Sequence, residues 1–397
     1  MSTAPLLAPP CRFGKDGKVD SNPCPANPIG IVDHPGFRQD GLPRTQRPIP
    51  RETSRRLQVA AFWAAMLVAG LHSMSGETWL ALKTIVGMAN MSVPLFFFLS
   101  GFFLSRHWGE SGFWRREVRK RVVSLVIPYF SWLGVAALIF GLFIPGVKVW
   151  AGTMETFAPE WAYGMAFLRS IVGFPFLASF WFLRTLFLLV VLSPAWLWCV
   201  AAKGRIFAVA SMGSVFLLWG LNAVYGVEVP FGSVLSRCGF SWRALFYVMA
   251  GAFVFHDDSL NILMKMRPSI GLGLGCWIVC AAVCQCFEVK APVDFAMQVT
   301  VQWSGIWVTL ALLSRVPLPE WVSKASMALY LSHAMFLNVL RELVFWRGTS
   351  GHGVYLWLAC VLLGIGIWNV LRRGPRWMVI MFFGGRGRMD RKDRKED

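Results

Sequence analysis

The chain has 397 residues, of which 56% are hydrophobic and 15% are charged, and its mean hydropathy is +0.53. Soluble domains carry about 45–50% apolar and about 25% charged residues, so this composition excludes an ordinary soluble protein and predicts a polytopic membrane protein. The net charge is +18, but the basic residues lie in the tails and in short loops between apolar runs. That distribution is the orientation signal of membrane proteins and argues against a nucleic-acid partner.

Residues 1–50 are rich in Pro, Gly, Asp and Asn and predict a disordered cytoplasmic tail. The motif Thr53-Ser-Arg-Arg-Leu57 resembles a twin-arginine export signal, but no small-residue cleavage site follows it. We therefore interpret its arginines as an anchor that keeps the N-terminus in the cytoplasm. Residues 51–373 are expected to form one transmembrane domain, and residues 374–397 a basic, charged cytoplasmic tail.

The fold class predicted for this domain is all-α, a transmembrane helix bundle of about ten spans. Both termini are expected in the cytoplasm, because Lys and Arg concentrate in the tails and loops that this orientation places inside. The connection 145–179 would then be the longest outer loop. The apolar segments are 57–73, 84–104, 122–144, 180–200, 206–223, 242–256, 269–287, 295–314, 325–346 and 353–371.

His72, His333 and Arg184 are ionisable residues inside these segments, and each calls for an explanation because charge inside a bilayer is costly. His72 ends the first segment and is expected near the outer face, whereas His333 is expected about a third of the way across from the inner face. Each imidazole can act as a general base, or can be a wetted or hydrogen-bonded structural residue. Arg184, near the outer end of the fourth segment, can hold an anionic or sugar-bearing acceptor or can snorkel to the interface.

The densest internal basic cluster lies in the predicted cytoplasmic loop 105–121. Arginine suits bidentate phosphate binding, so this loop can hold the phosphates of a soluble cofactor. The positive-inside signal, or contact with anionic lipid, would give the same composition. Composition alone does not choose between these interpretations, and the sequence contains no P-loop, dinucleotide fingerprint or nucleophile elbow.

The cysteines do not predict a metal site. Cys276, Cys280 and Cys284 recur every fourth residue of one predicted helix, a pattern that is more typical of packing. Cys284 and Cys286 form a C-x-C pair, but no histidine or second cysteine pair stands at zinc spacing. We therefore expect no bound metal.

Several short blocks, taken in order, resemble the membrane-bound acyltransferase-3 family, whose members O-acetylate cell-surface glycans and related acceptors. The resemblance covers about residues 55–371 and rests on the order and spacing of the blocks. Many members carry an arginine before the histidine where this chain has Ala61. The blocks are Val68-Ala-Gly-Leu-His72, Val93-Pro-Leu-Phe-Phe-Phe-Leu-Ser-Gly101, Arg116-x-x-Arg119 with Arg121, Pro128-Tyr129, Trp181-Phe182-Leu183 and Ser326-x-x-x-Tyr330-Leu-Ser-His333.

The resemblance implies that acyl-CoA, most often acetyl-CoA, donates from the cytoplasm as a co-substrate, with no bound cofactor. Arg116, Arg119 and Arg121 would bind the donor, as would Ser100 and Gly101 at the end of the second segment. Ser100 would hydrogen-bond there, and Gly101 would let a ligand or a neighbouring helix come close.

The resemblance also implies that His72 is the catalytic base, which deprotonates a hydroxyl of a cell-surface glycan or lipid-linked sugar. Trp181, Arg184, Tyr330 and His333 would line the acceptor cavity. The expected partners are the lipid bilayer, acyl-CoA and the glycan, and the expected location is a bacterial inner membrane.

Two other functions are compatible with these residues. A transporter or flippase of a lipid-linked glycan would also need a polar path, but would often have repeated halves or paired broken helices, and the sequence shows neither. In a non-catalytic membrane assembly protein, His72 and the basic loop would serve topology alone.

Overall fold

The computed structural model describes residues 49–74, 79–143, 180–201, 204–227, 240–257, 259–260, 269–287, 289–343 and 352–384. These residues form helices, and no strand occurs among them, so the all-α class is confirmed. The predictions for the tail 1–48, the outer loop 145–179 and the terminal residues 385–397 fall outside the described residues.

The ten predicted apolar segments coincide, over their described residues, with one helix or with two consecutive ones. A π-helical turn, Val122–Val126, precedes the helix that begins at Ile127, and a 3-10 turn, Leu313–Arg315, follows the helix that ends at Ala311. The helices are α1 (Arg51–Ser73), α2 (Leu80–Ala89), α3 (Ser92–Ser105), α4 (Phe113–Arg121), α5 (Ile127–Phe143), α6 (Trp181–Val191), α7 (Ser193–Ala201), α8 (Arg205–Tyr225), α9 (Trp242–His256), α10 (Ile270–Cys286), α11 (Ala291–Ala311), α12 (Glu320–Ser323), α13 (Ser326–Leu343), α14 (Gly353–Leu371) and α15 (Arg376–Phe383).

Several helices are long and apolar enough to cross a membrane, and they identify an integral membrane protein. By length and composition the described residues contain four such stretches, or five if the bent pair α6–α7 is one span. That pair bends by 66°, a break that the sequence interpretation missed. Pro194 accounts for it, since proline lacks an N–H and its ring clashes with the preceding turn. The count of ten spans and the cytoplasmic termini stay predictions.

Helix α3 packs most extensively against α9. Gly101 of α3 faces the backbone of Val248, and Gly251 of α9 faces the backbone of Phe98. A Cβ atom at either glycine would overlap a carbonyl of the opposite helix, so the two backbones touch. Small residues allow this close approach between membrane helices. The structure therefore assigns Gly101 to helix packing.

The twin arginines hold the start of α1 against the end of α11. Arg56 donates from Nε to Ser314 Oγ at 3.3 Å and from Nη2 to the carbonyl of Leu310 at 3.4 Å. Arg55 Nη2 donates to the carbonyl of Leu318 at 3.3 Å. Cations are favourable near a helix C-terminus, where backbone carbonyls have no helical partner. The two arginines thus stabilise the packing of α1 on the end of α11, in addition to being a candidate orientation signal.

Helix α14 contacts both α12 and α13. Trp368 Nε1 donates to the carbonyl of Trp321 at 2.7 Å, and further along α14 Cys360 Sγ lies 4.0 Å from the carbonyl of His333. The eight residue steps from Trp368 to Cys360 span about 12 Å of helix, close to the length of α13 from its start to His333. The contact of Arg55 with Leu318 places the connection before α13 near the start of α1.

The first part of the segment that the sequence assigned to a charged tail is a docked helix. α15 packs against α5 and the π turn. Trp132 Nε1 donates to the carbonyl of Phe382 at 3.0 Å, and their rings lie 5.6 Å apart. Phe383 is fully buried and lies 5.2 Å from the ring of Trp368. The packed domain therefore extends to residue 384.

We predict that Gly101→Ala destabilises the protein, because the added methyl group pushes α3 away from Val248. Overpacking of this kind costs about 1–3 kcal/mol, which a thermal melt of the detergent-solubilised protein would detect as a lowered Tm. The control is Gly213→Ala in α8, where an added Cβ meets nothing within 4 Å. The control should melt at or slightly above the wild-type temperature, since alanine favours a helix over glycine. Equal melting temperatures for both variants would contradict the packing role.

Candidate active site

His72 and His333 stack on each other at the centre of the candidate site. Their ring centroids lie 5.4 Å apart and their planes differ by 24°. His72 stands at the end of α1, and His333 is completely buried in α13. The expectation that the two histidines lie at different depths is therefore wrong. His333 is the eighth residue of α13, and its ring packs on that of His72 at the end of α1.

The tautomer of His333 follows from its backbone contact. Its Nδ1 lies 2.5 Å from the carbonyl of Tyr330, and a carbonyl only accepts, so Nδ1 carries the proton. Nε2 is then the acceptor nitrogen, and it has no hydrogen-bond partner within the described part of the chain. Buried polar atoms rarely lack a hydrogen-bond partner, and one that does is a reason to look for a bound group.

A chain of aromatic rings continues from the histidines into the bundle. Tyr330 lies 5.6 Å from His333, and Phe96 and Phe182 lie 5.5 Å and 5.2 Å from Tyr330. Trp181 joins this chain through Phe97, at 6.3 Å. The structure thus brings together three of the four residues predicted for the acceptor cavity, and sets them beside the predicted base.

The fourth predicted residue, Arg184, lies one helical turn further along α6. Its guanidinium is close enough to Tyr129 to act electrostatically on that phenol. Tyr129 in turn lies 5.6 Å from Phe180. Arg184 is thus next to the aromatic chain, on the side of α5. The sequence interpretation used Tyr129 only as a family marker, and its position after Pro128 gave no further signal.

The basic residues of α4 line a second site. A cavity of about 750 Å³ opens beside this helix, within the usual size range of ligand pockets. All three arginines predicted to bind the donor line it. Ser100 and Gly101 do not. The lining residues are Gly112, Arg115, Arg116, Arg119, Lys120, Arg121, Val123, Ser124 and Gly384.

The helical period of α4 separates its buried face from its basic face. Phe113, Glu117 and Arg121 are buried at successive turns. The Glu117 carboxylate lies 3.3 Å from Lys120 Nζ and 3.8 Å from Nη2 of the buried Arg121, so one buried carboxylate pairs with both cations. Glu110 pairs with Arg116. A hydrogen bond from His107 is the largest cause that lowers the pKa of this carboxyl, and Arg116 makes a smaller contribution in the same direction.

The inner end of the cavity holds polar atoms with unmet bonding capacity. Arg121 Nε and Ser124 Oγ are buried and have no hydrogen-bond partner among the described residues. Burial lowers the pKa of the Arg121 guanidinium, and the Glu117 carboxylate opposes that shift. Ser124 lies in the π-helical turn, a feature that is frequent at functional sites. An anionic ligand could satisfy both atoms.

Helix α6 connects the two sites. At its start, Phe182 belongs to the aromatic chain. At its end, the carbonyl of Val191 accepts a hydrogen bond from Trp114 Nε1 of α4 at 2.9 Å. The nine residue steps from Phe182 to Val191 span about 14 Å, roughly half of the ~30 Å hydrocarbon core. The basic helix and the histidine pair are therefore parts of one connected arrangement.

Residues 57–373 match the model of the acyltransferase-3 family, which is described as an acyltransferase domain. The chain belongs to this family. The match covers both histidines, the basic helix and the aromatic chain, and it ends before α15 begins. No curated protein and no solved structure matches the chain.

Within the described part of this acyltransferase, no group of three or more His, Cys, Asp or Glu residues could hold a metal ion. Cys276, Cys280 and Cys284 are free and partly buried along α10. The residues of the candidate site carry imidazole, phenol and guanidinium groups, which suit proton transfer and anion binding.

We predict that Glu117→Gln lowers the free energy of unfolding by about 3 kcal/mol, because it leaves Arg121 buried without its carboxylate. A chemical denaturation curve of the solubilised protein measures the loss. Glu110→Gln is the matched control. Its pair with Arg116 is partly exposed, so that change should cost no more than about 1 kcal/mol. Equal losses for the two variants would show that Glu117 is not a buried counter-charge.

Proposed function

We propose that this acyltransferase moves an acyl group, most simply acetyl, from cytoplasmic acyl-CoA to a hydroxyl of a cell-surface glycan or lipid-linked sugar. It would act as a multi-pass protein of a bacterial inner membrane, with about ten spans and both termini in the cytoplasm. The observation that carries the proposal is the connection, through α6, between a basic cavity and a stacked pair of histidines.

The cavity beside α4 supports binding of the donor. Acyl-CoA carries several phosphates, and Arg116 and Arg119 present guanidinium groups on the open side of the cavity. Arg121 and Ser124 offer unmet polar atoms at its inner end. Hydrogen bonds between guanidinium and phosphate are charge-assisted and are about twice as strong as neutral ones. In this arrangement the phosphates stay at α4 while the flexible pantetheine arm extends along α6.

The histidine pair supports the chemical step. His72 would take the proton of the acceptor hydroxyl as its oxygen attacks the carbonyl carbon of the thioester. A carbon–oxygen bond then forms, the carbon–sulfur bond breaks, and coenzyme A leaves as a thiol once His72 returns the proton to sulfur. His333 would hold the ring of His72 by stacking, while its own Nδ1 is fixed by the Tyr330 carbonyl.

The aromatic chain supports binding of the acceptor. Sugar rings present apolar faces that pack on aromatic side chains. Trp181 and Tyr330 belong to the aromatic chain that continues to the histidines. Arg184, beside Tyr129, would bind the hydroxyl or anionic groups of the acceptor. The acceptor and the acyl group would thus meet inside the bundle, shielded from water.

We predict that His72→Phe abolishes acyl transfer while leaving the protein folded. The phenyl ring keeps the stacking on His333 but cannot accept a proton. Loss of a general base costs about 100- to 10,000-fold in rate. The measurement is mass spectrometry of surface glycans from cells that produce the variant, with membrane abundance and Tm as controls for folding. Wild-type levels of acylation by His72→Phe would contradict the assignment of His72 as the catalytic base.

The matched variant His333→Phe separates the roles of the two histidines. A positioning residue should cost less than the base itself, so His333→Phe is expected to retain more acylation than His72→Phe. The reverse order, at equal abundance, would make His333 the base, with its free Nε2 as the proton acceptor.

We predict that Arg119→Gln weakens donor binding, because a charge-assisted bond to phosphate is lost. Such a bond contributes about 1.5–3 kcal/mol, so the Kd for acetyl-CoA should rise about 10- to 100-fold. Binding of labelled acetyl-CoA to the purified protein measures this. The control is Arg205→Gln, an exposed arginine of α8 that pairs with Asp257 at 3.5 Å, outside the cavity. If both variants bind like wild type, the basic helix serves topology alone.

A further inference from the structure

The C-terminal helix α15 ends at the basic cavity. Gly384, the residue that caps α15, lines the cavity together with the arginines of α4. The family match stops at residue 373, so this wall of the cavity lies outside the matched domain. The contact is therefore a property of this chain that the family assignment does not supply.

The backbone conformation at Gly384 favours glycine. Its φ angle is +65°, in the left-handed region that side chains rarely adopt. A Cβ atom here would overlap the Cα atom of Ser124, so the backbones of the two residues are in contact. Ser124 is the π-turn residue whose hydroxyl has no hydrogen-bond partner in the described part of the chain. Gly384 thus forms the wall of the cavity beside Ser124.

Helix α15 is held firmly enough to act as a wall. Phe383 is fully buried against Trp368 of α14, and the carbonyl of Phe382 accepts the indole N–H of Trp132. These contacts tie the helix to α5 and α14 at once. A displacement of Gly384 would therefore require the loss of a buried aromatic contact and of a hydrogen bond.

We propose that α15 and Gly384 close the donor cavity and hold the phosphate end of acyl-CoA against Arg121 and Ser124. This inference rests on the proposed function, because it assigns a further positioning element to the same donor site. The ligand chemistry is that of a phosphate group, which would accept hydrogen bonds from Arg121 Nε and Ser124 Oγ. The source to which we commit is the soluble coenzyme and not a lipid headgroup, because the backbone of Gly384 packs across this inner end.

The test measures coenzyme A binding to the purified full-length protein in neutral detergent, by isothermal titration. Gly384→Ala should raise the Kd for coenzyme A about tenfold, the equivalent of one lost hydrogen bond, with the number of binding sites unchanged. Trp132→Phe keeps the ring but removes the donor to Phe382, and should raise the Kd by about threefold. Gly366→Ala, where an added Cβ meets nothing within 4 Å, is the control and should bind like wild type.

The outcomes separate this inference from the proposed function. A wild-type protein that does not bind coenzyme A contradicts both. If wild type binds but Gly384→Ala and Trp132→Phe bind equally well, α15 is no part of the site and the proposed function stands. Misfolding would lower the number of sites while the remaining molecules bind with the wild-type Kd. That result would also contradict a role for α15 in the donor site. Nanodiscs with phosphatidylglycerol that abolish binding to wild type would assign the phosphate position to lipid and overturn the inference.

Discussion

The backbone contact between α3 and α9 sets the position of the rest of the site. Gly101 and Gly251 let the two helices touch, and this fixes α3 in the middle of the described bundle. On its other face α3 presents Phe96 and Phe97, which pack against Phe182, and Phe96 also packs against Tyr330. A shift of α3 would therefore move the aromatic chain that leads to the histidines. The Phe-Phe-Phe-Leu-Ser-Gly sequence acts as a spacer between helices, on two faces at once.

Charge burial is the second constraint on this architecture. An unpaired charge in a low-dielectric interior costs several kcal/mol. α4 meets this by exposing most of its cations and by burying Glu117 beside Arg121. The pairing is incomplete, because Arg121 Nε and Ser124 Oγ remain without partners among the described residues. Buried atoms of this kind are consistent with a site that is completed when an anion binds.

Much of the fold could be predicted from the sequence, because apolar runs bounded by charge define membrane helices. Segments 242–256 and 353–371 coincide with α9 and α14. The grouping of Arg116, Arg119 and Arg121 also follows from spacing, since a nine-residue helix presents them around one end. The depth of His333 could not be predicted, because counting from the edge of an apolar segment assumes that the edge lies at the membrane face. The stacking of His333 on His72 shows that this assumption fails here.

Two features of the site depend on tertiary contacts that the local amino-acid sequence does not reveal. Gly384 follows a short apolar helix in a segment that reads as a charged tail, and only its packing on Ser124 reveals a role. From the sequence, Gly101 could allow close approach of a ligand or of a neighbouring helix. The structure shows the helix, because Gly101 contacts the backbone of Val248. The central claim is that the basic cavity and the histidine pair form one acyl-transfer site. A cryo-electron microscopy structure with coenzyme A bound tests it most directly. The account predicts phosphates beside Arg119 and Arg121 and a thiol directed along α6 toward His72. A coenzyme bound elsewhere, or one whose thiol points away from the histidines, would contradict it.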